Sequence, residues 1–239
     1  MKTALVTGGI KGIGLAVTKM LLSEGYSVVA TYAHDEQNAH KVYKEFFDQG
    51  FPIEVIKAAQ DDKAQVKSLV DFMRMKGHVD CLVLNAGTTE RSSLKGTTDE
   101  AWERVMQVNV NSNVSLVRDL YDVIAPNARI VFMGSMMGVL PHSVSLAYGV
   151  SKAAEIALAK NLVKEFAETG TTVNVIVPGF VDTDWQKNKP EEIRQNICNK
   201  TALGRFAQPE EIAEAVRFCV KNAFVNGSVI EIHGGYNYK

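Results

Sequence analysis

The chain is poor in the features that would take it outside the ordinary globular classes. It has three cysteines, Cys81, Cys198 and Cys219. Their number is odd and none has CxxC spacing, so neither a disulfide framework nor a thiolate zinc site is expected. Buried free thiols in a reducing cytoplasm are the plain reading. The histidines, His34, His40, His78, His142 and His233, are scattered without metal-ligand spacing and read as structural or surface residues. No metal is expected. Like charges form no long run and the net charge is −1. A basic footprint for nucleic acid or an anionic membrane is therefore missing. No window approaches the roughly 18 apolar residues of a membrane span. The apolar stretch in MKTALVTGGIKG is too short for a secretory h-region. What the chain has is core material: 46% hydrophobic against 22% charged over 239 residues. That excludes disorder and suits one large α/β domain.

Short apolar runs alternate with longer amphipathic ones. ALVT (4–7), YSVVATY (26–32), IEVIKA (53–58), CLVLN (81–85), RIVFMG (129–134), VNVIVP (173–178) and VIEIH (229–233) read as strands. Most are continuous Val, Ile and Leu runs, the pattern of strands buried on both faces of a parallel sheet. Helical patterns lie between them at 12–24, 36–49, 62–76, 99–124, 146–168 and 209–221. This alternation predicts a single doubly wound α/β domain over 1–239, with a seven-stranded parallel sheet covered by helices on both faces. The least regular segment, 180–207, reads as a substrate lid or helical flap.

TGGIKGIG follows the first strand and opens the first helix, with glycines at 8, 9, 12 and 14. Glycine permits a tight turn and lets backbone N–H groups approach a pyrophosphate at a helix N-terminus. The spacing differs from G-x-G-x-x-G, so position carries the nucleotide-binding reading. An NAD site places an acid at the end of the second strand, on the ribose 2′-hydroxyl. Here that strand ends TYAH, with no carboxylate before Asp35. Lys11 stands inside the turn, where an ammonium can meet a 2′-phosphate; a solvated loop lysine is the plainer alternative. Missing acid and present base favour NADP(H) over NAD(H).

On a helix over 146–168, Tyr148 and Lys152 are one turn apart on one face. A free phenol titrates near about 10 and is a poor base at neutral pH. A neighbouring ammonium favours its ionised form and makes it useful in proton transfer. Ser135, at the carboxyl end of the fifth strand, can donate a hydrogen bond to a substrate oxygen. For Asn109, a helix-interrupting residue satisfied by backbone is the plain reading. For Asn85 and Gly87 it is a turn after a buried strand.

These motifs together resemble the short-chain dehydrogenase/reductases over essentially the whole chain. TGGIKGIG matches that family's cofactor turn, and NAG (85–87) matches the motif after its fourth strand. Asn109, Ser135, Tyr148 and Lys152 match its catalytic tetrad, with YGVSK as the Y-x-x-x-K element. PGFVDT (178–183) matches the stretch that holds the nicotinamide carboxamide, and LGRFAQPEEIAEAV with NGSVIEIHGGY resembles the close of 3-oxoacyl-[acyl-carrier-protein] reductases. The resemblance implies NADPH-dependent reduction of a carbonyl to a hydroxyl, on a 3-oxoacyl thioester of fatty acid biosynthesis, in a cytoplasmic homotetramer built on helix 146–168 and the one before it. Another alcohol or ketone is the alternative substrate, and a catalytically silent nucleotide sensor the alternative class.

Within that resemblance, Tyr148 protonates the carbonyl oxygen. Lys152 holds the nicotinamide ribose, Ser135 polarises the carbonyl, and Asn109 places a water linking Lys152 to solvent. Cofactor contacts fall on Gly8, Gly9, Lys11, Gly12, Ile13, Gly14, Asn85, Ala86, Gly87, Tyr148, Lys152, Pro178, Gly179, Val181 and Thr183. Substrate contacts fall on Ser135, Met137 and Tyr148, in a pocket with Met136, Val139, Leu140, Phe180 and Trp185. Helix 146–168 carries an apolar face through Ala153, Ala157, Leu158, Leu162 and Phe166, part of it expected on the sheet. Two departures stand out. The adenine position falls at Ala59–Asp62, without the usual Asp or Asn at Ala59. Pro126 and Thr169 replace basic residues expected beside the entrance for an acidic carrier. Arg91, Lys187 and Lys189 keep carrier docking open.

Overall fold

A computed structural model describes residues 1–141 and 145–238. Seven strands form one parallel sheet in the order β3-β2-β1-β4-β5-β6-β7. They are β1 (Thr3–Val6), β2 (Ser27–Tyr32), β3 (Ile53–Lys57), β4 (Val79–Leu84), β5 (Ile124–Met133), β6 (Thr172–Pro178) and β7 (Val229–Ile232). The order runs outward from β1 in both directions, so the topological switch falls between β1 and β4. An open α/β sheet takes its ligand there, beyond the carboxyl ends of the strands. Leu5, Val29, Val83 and Ile130 are wholly buried. Helices cover both faces, which is why these strands show no apolar–polar alternation.

The helices are α1 (Gly12–Ser23), α2 (Glu36–Phe47), α3 (Lys63–Met75), α4 (Asp99–Met106), α5 (Ser112–Leu120), α6 (Leu146–Glu165), α7 (Asp184–Lys187), α8 (Glu191–Lys200) and α9 (Pro209–Lys221). Polar caps set several of their starts. Asp62 accepts from Ala64 and Gln65 N–H at α3, and Thr98 from Ala101 N–H at α4. At α9 a capping box joins Gln208 and Glu211 ahead of Pro209. One core packs α1, α2 and α9 on the sheet, through Val17, Leu21, Val42, Ile212 and Val216. The other packs α3, α5 and α6, through Leu69, Met73, Leu116, Leu120 and Ala159.

Two expectations need correction. The helix expected over 99–124 is interrupted by a π-helical turn at Gln107–Asn111, and the chain enters β5 at Ile124, paired with Val79. Side chains compete with the helix ladder there: Ser112 Oγ donates to Val108 O and Asn113 Nδ2 to Asn109 O, each at 2.7 Å. Part of the expected α6 stripe reaches the core: Phe166 is buried there and Leu158 and Leu162 pack on it half-buried, beside Ala147, Ser151, Lys152, Glu155 and Ala159, while Ala153 and Ala157 are exposed. Helical pitch turns 153 and 157 away from the positions that contact the sheet. The segment 180–207 holds the short helices α7 and α8, in keeping with a helical flap, and Asp182 and Arg194 pair there at 3.1 Å. The second correction is the place of Pro126 and Thr169, which stand near the starts of β5 and β6, at the sheet end opposite Ser135 within one chain. His142 lies outside the described residues.

Candidate active site and dinucleotide cradle

The turn between β1 and α1 is held from both sides. Gly8 N–H donates to Thr31 Oγ1 at 3.1 Å, and Gly9 N–H to Thr31 O at 2.9 Å. Thr7 Oγ1 accepts from the N–H groups of Asn85 and Ala86, both at 2.9 Å. The Asn85 side-chain amide donates back to Thr7 O and Gly8 O. The NAG segment after β4 therefore fixes the glycine turn, a role the bare motif does not disclose. Gly8 has φ +64°, open to glycine at little cost, and a β-carbon on Gly14 would lie 2.1 Å from Gly8 O. The turn and the first helical turn are thus in backbone contact. Lys11 caps α1 without a side-chain bond, and the first turn holds no acid. Its N–H groups remain suited to a phosphate.

The acid nearest the second strand is engaged elsewhere. Asp35 Oδ1 accepts from Asn38 N–H as the cap of α2, at 3.1 Å. Asn38 Nδ2 donates to Ile10 O at 2.8 Å, tying α2 to the turn. Lys11 is exposed, and its charge helps hold the Asp184 carboxyl below its usual value, after the larger effect of Lys187.

PGFVDT brings its end to the same turn: a β-carbon on Gly12 would stand 3.1 Å from Thr183 Cγ2. Gly179 lies against His233, where a β-carbon would meet that residue at 2.8 Å. Pro178 pairs with Ile232, and Val181 is buried and bridged to Ala207. Ile13 is half-buried against the core.

On the other side of the turn lie the polar groups of α6. Ser135 follows β5, and its Oγ accepts from Met137 N–H at 3.2 Å. Among the described residues nothing takes its hydroxyl hydrogen, which is left to donate. The Met136–Gly138 turn lies directly on α6, since a β-carbon on Gly138 would stand 2.6 Å from the Lys152 carbonyl carbon. That contact brings the Ser135 loop onto the helix of Tyr148. Asn109, wholly buried in the π turn, accepts from Thr88 N–H at 2.8 Å. It donates to Thr88 O at 3.0 Å and to Ser151 Oγ at 2.8 Å. Gly87 lies beside both, 3.5 Å from Asn109 Oδ1 and from Lys152 Nζ by the same β-carbon measure. Lys152 Nζ stands 5.7 Å from the Tyr148 ring centroid and donates to Met133 O at 2.8 Å.

One residue escaped the sequence reading. Glu155, wholly buried, accepts from Lys152 Nζ at 2.9 and 3.0 Å. Its signal was its place on the same helical stripe as Tyr148 and Lys152. Burial pushes its carboxyl up to about 7 against the pull of Lys152. Burial works to lower the Lys152 ammonium, but the Glu155 charge, Tyr148 and the hydrogen bond outweigh it and raise it.

Met136, Met137 and Leu140 line a cavity of ≈ 230 Å³ with Pro141, Lys200, Tyr236 and Asn237. Trp185 packs edge-on to Tyr148, with centroids 6.2 Å apart. Phe180 instead packs on Phe206 and Tyr236 in the core, and Val139 is 44% exposed. Burial, and then the charge of Arg91, lower the Lys189 ammonium.

The open parallel sheet, the glycine turn at its switch point and the polar stripe on α6 define a dinucleotide-binding α/β protein. The chain belongs to the short chain dehydrogenase family, which it matches over residues 2–194. The 3-oxoacyl-[acyl-carrier-protein] reductase FabG of Thermotoga maritima is 34% identical over 241 residues, spanning 98% of this chain and 97% of that protein. A short-chain dehydrogenase/reductase from Serratia marcescens superposes with a TM-score of 0.93 at 30% identity, over 99% of this chain and 98% of its own. A short chain dehydrogenase from Burkholderia cenocepacia, solved in complex with NADP, gives 0.91 at 29% identity, over 98% and 97%.

Proposed function

We propose that the protein is an NADP(H)-dependent reductase that converts the ketone of a 3-oxoacyl thioester to a hydroxyl. The observation that carries this is the contact of the Ser135 loop with the helix of Tyr148 and Lys152, beside a glycine cradle where the acid following β2, Asp35, caps α2 instead of facing a ribose. The bound nicotinamide dinucleotide supplies the hydride. Gly8, Gly9, Gly12, Ile13 and Gly14 would hold its pyrophosphate and Lys11 its 2′-phosphate. Asn85, Ala86, Gly87, Pro178, Gly179, Val181 and Thr183 border the rest.

Ser135 Oγ, held by Met137 N–H, donates its hydrogen to the substrate carbonyl and orients it. Tyr148 passes its hydroxyl proton to the same oxygen as charge develops there. Lys152 supplies the neighbouring positive charge, and Asn109 fixes the helix that carries both. Met137 and its neighbours offer a flexible apolar wall to an acyl chain. Arg91 and Lys189 would give an acidic carrier protein basic groups to meet. Val114, Leu146 and Val150, exposed on α5 and α6, support a homotetramer closed through those helices. A cytoplasmic setting accords with three unpaired cysteines.

The test is a turnover assay with NADPH or NADH, using 3-oxoacyl thioesters and a panel of ketones and following reduced-nicotinamide absorbance. Thioester reduction with NADPH is expected, with Tyr148→Phe slower by about 100-fold or more. Preference for a free ketone would reassign the substrate. No turnover, with Tyr148→Phe indistinguishable from the parent, would overturn the reductase reading.

A further inference from the structure

Glu155 has no part in the chemistry above, yet it occupies a singular place. Among the described residues, Glu155 and Lys152 are the one fully buried carboxylate and the one fully buried ammonium. They lie one turn apart on α6, in line with Tyr148. Three acceptor atoms, Met133 O and both Glu155 oxygens, lie within 3.0 Å of Lys152 Nζ, which has three hydrogens to give. Glu155 has no other hydrogen-bond partner among the described residues.

A buried ammonium without a counter-charge sheds its proton, because burial favours the neutral amine. A buried ion pair is also a poor device for stability, since apolar residues of similar volume often serve as well. The pair therefore points to a need for charge at this place. We propose that Glu155 is a positioning residue that keeps Lys152 an ammonium and pins it between β5 and α6, beside Tyr148. The inference rests on the reading of Tyr148 and Lys152 as the reacting pair.

Little else acts on this charge. Among the described residues, Tyr148 is the other ionisable group felt by Lys152, and Lys152 is the one felt by Glu155. The elements packed on α6 face the pair with neutral groups: Asn109 from the π turn, Met133 from β5, and the Met136–Gly138 turn. Strand β6 carries no charged residue, Arg129 of β5 bonds Val220 O at the far end, and the charged residues of α4 are exposed.

The experiment is a pH titration of the full chain carrying ε-¹³C lysine, with the Lys152 signal assigned by its loss in Lys152→Met. In the parent protein Lys152 should keep its proton beyond the ordinary lysine range. In Glu155→Gln, which retains size and one acceptor, its midpoint should fall by about one pH unit or more. Glu155→Asp should recover part of that fall. The alkaline limb of kcat for carbonyl reduction should move down with the midpoint, while KM stays unchanged. An unmoved midpoint in Glu155→Gln overturns the proposal, as does a parent Lys152 titrating at or below the ordinary range. The latter arm decides alone if Glu155→Gln does not fold. A shifted midpoint in a protein that reduces no carbonyl would leave the role of Glu155 standing and remove the reductase reading; turnover with an unmoved midpoint would do the reverse.

Discussion

Asn109 Nδ2 donates to Ser151 Oγ at 2.8 Å, and that hydroxyl donates to the Tyr148 carbonyl, also at 2.8 Å. A short run of bonds thus links the π turn to the helix that carries Tyr148. Asn109→Ala would leave Thr88 N–H and Ser151 Oγ without this partner in the interior. A loss of about 2–4 kcal/mol is expected. At roughly 2–4 °C per kcal/mol for a domain this size, calorimetry should show a clearly lower Tm. An unchanged Tm would mean that the bonds are replaceable by water.

Gly14→Ala tests the backbone contact inside the cradle. The added β-carbon would meet Gly8 O at 2.1 Å and Asn85 Nδ2 at 2.6 Å, and the backbone oxygen cannot swing aside as a side chain can. Strain of about 1–3 kcal/mol is expected, falling mainly on the turn. NADPH titration followed by fluorescence should show weaker binding, by about tenfold or more if that strain is released only by opening the turn.

Lys11→Ala should alter the choice of nucleotide. Losing one charge-assisted contact to a 2′-phosphate should lower kcat/KM with NADPH by about tenfold and leave NADH nearly unaffected. A parent enzyme that uses NADH as well as NADPH would remove the assignment to Lys11 altogether.

The α9 cap gives a pH-dependent term of known sign. Hydrogen bonding to Arg205, then to Gln208 N–H, lowers the Glu211 carboxyl from 4.5 to about 2. A depressed carboxylate contributes stability that is present above the unfolded value and lost as pH falls from about 4.5 through about 2. The side chain is 43% exposed, so solvent screening holds the effect to under about 1 kcal/mol. Glu211→Gln should lower Tm slightly at neutral pH, and the difference should vanish in acid.

All seven strands were legible because a parallel sheet buried on both faces leaves runs such as VNVIVP that a helix of this length would not. Tyr148, Lys152 and Ser135 could be named for a related reason: helix pitch and strand ends are local properties. Contacts across the fold were not. Phe180 has the composition of a pocket wall, but Phe206 and Tyr236 draw it into the core. Glu155 sits among alanines in KAAEIALA and looks like a solvated acid until the sheet closes over it. The π turn was half-visible: an Asn that competes for backbone bonds marked the place, while its partners Thr88 and Ser151 belong to other elements.

The cradle takes its support from both halves of the chain: Thr7 bonds Asn85 across a separation of 78 residues, and Gly12 abuts Thr183. During synthesis the phosphate turn emerges early and the phenol much later, while Thr183 follows only after β6. A nascent chain therefore carries pieces of the site long before it carries a site. The contacts that frame the turn are complete only after β6 has been made.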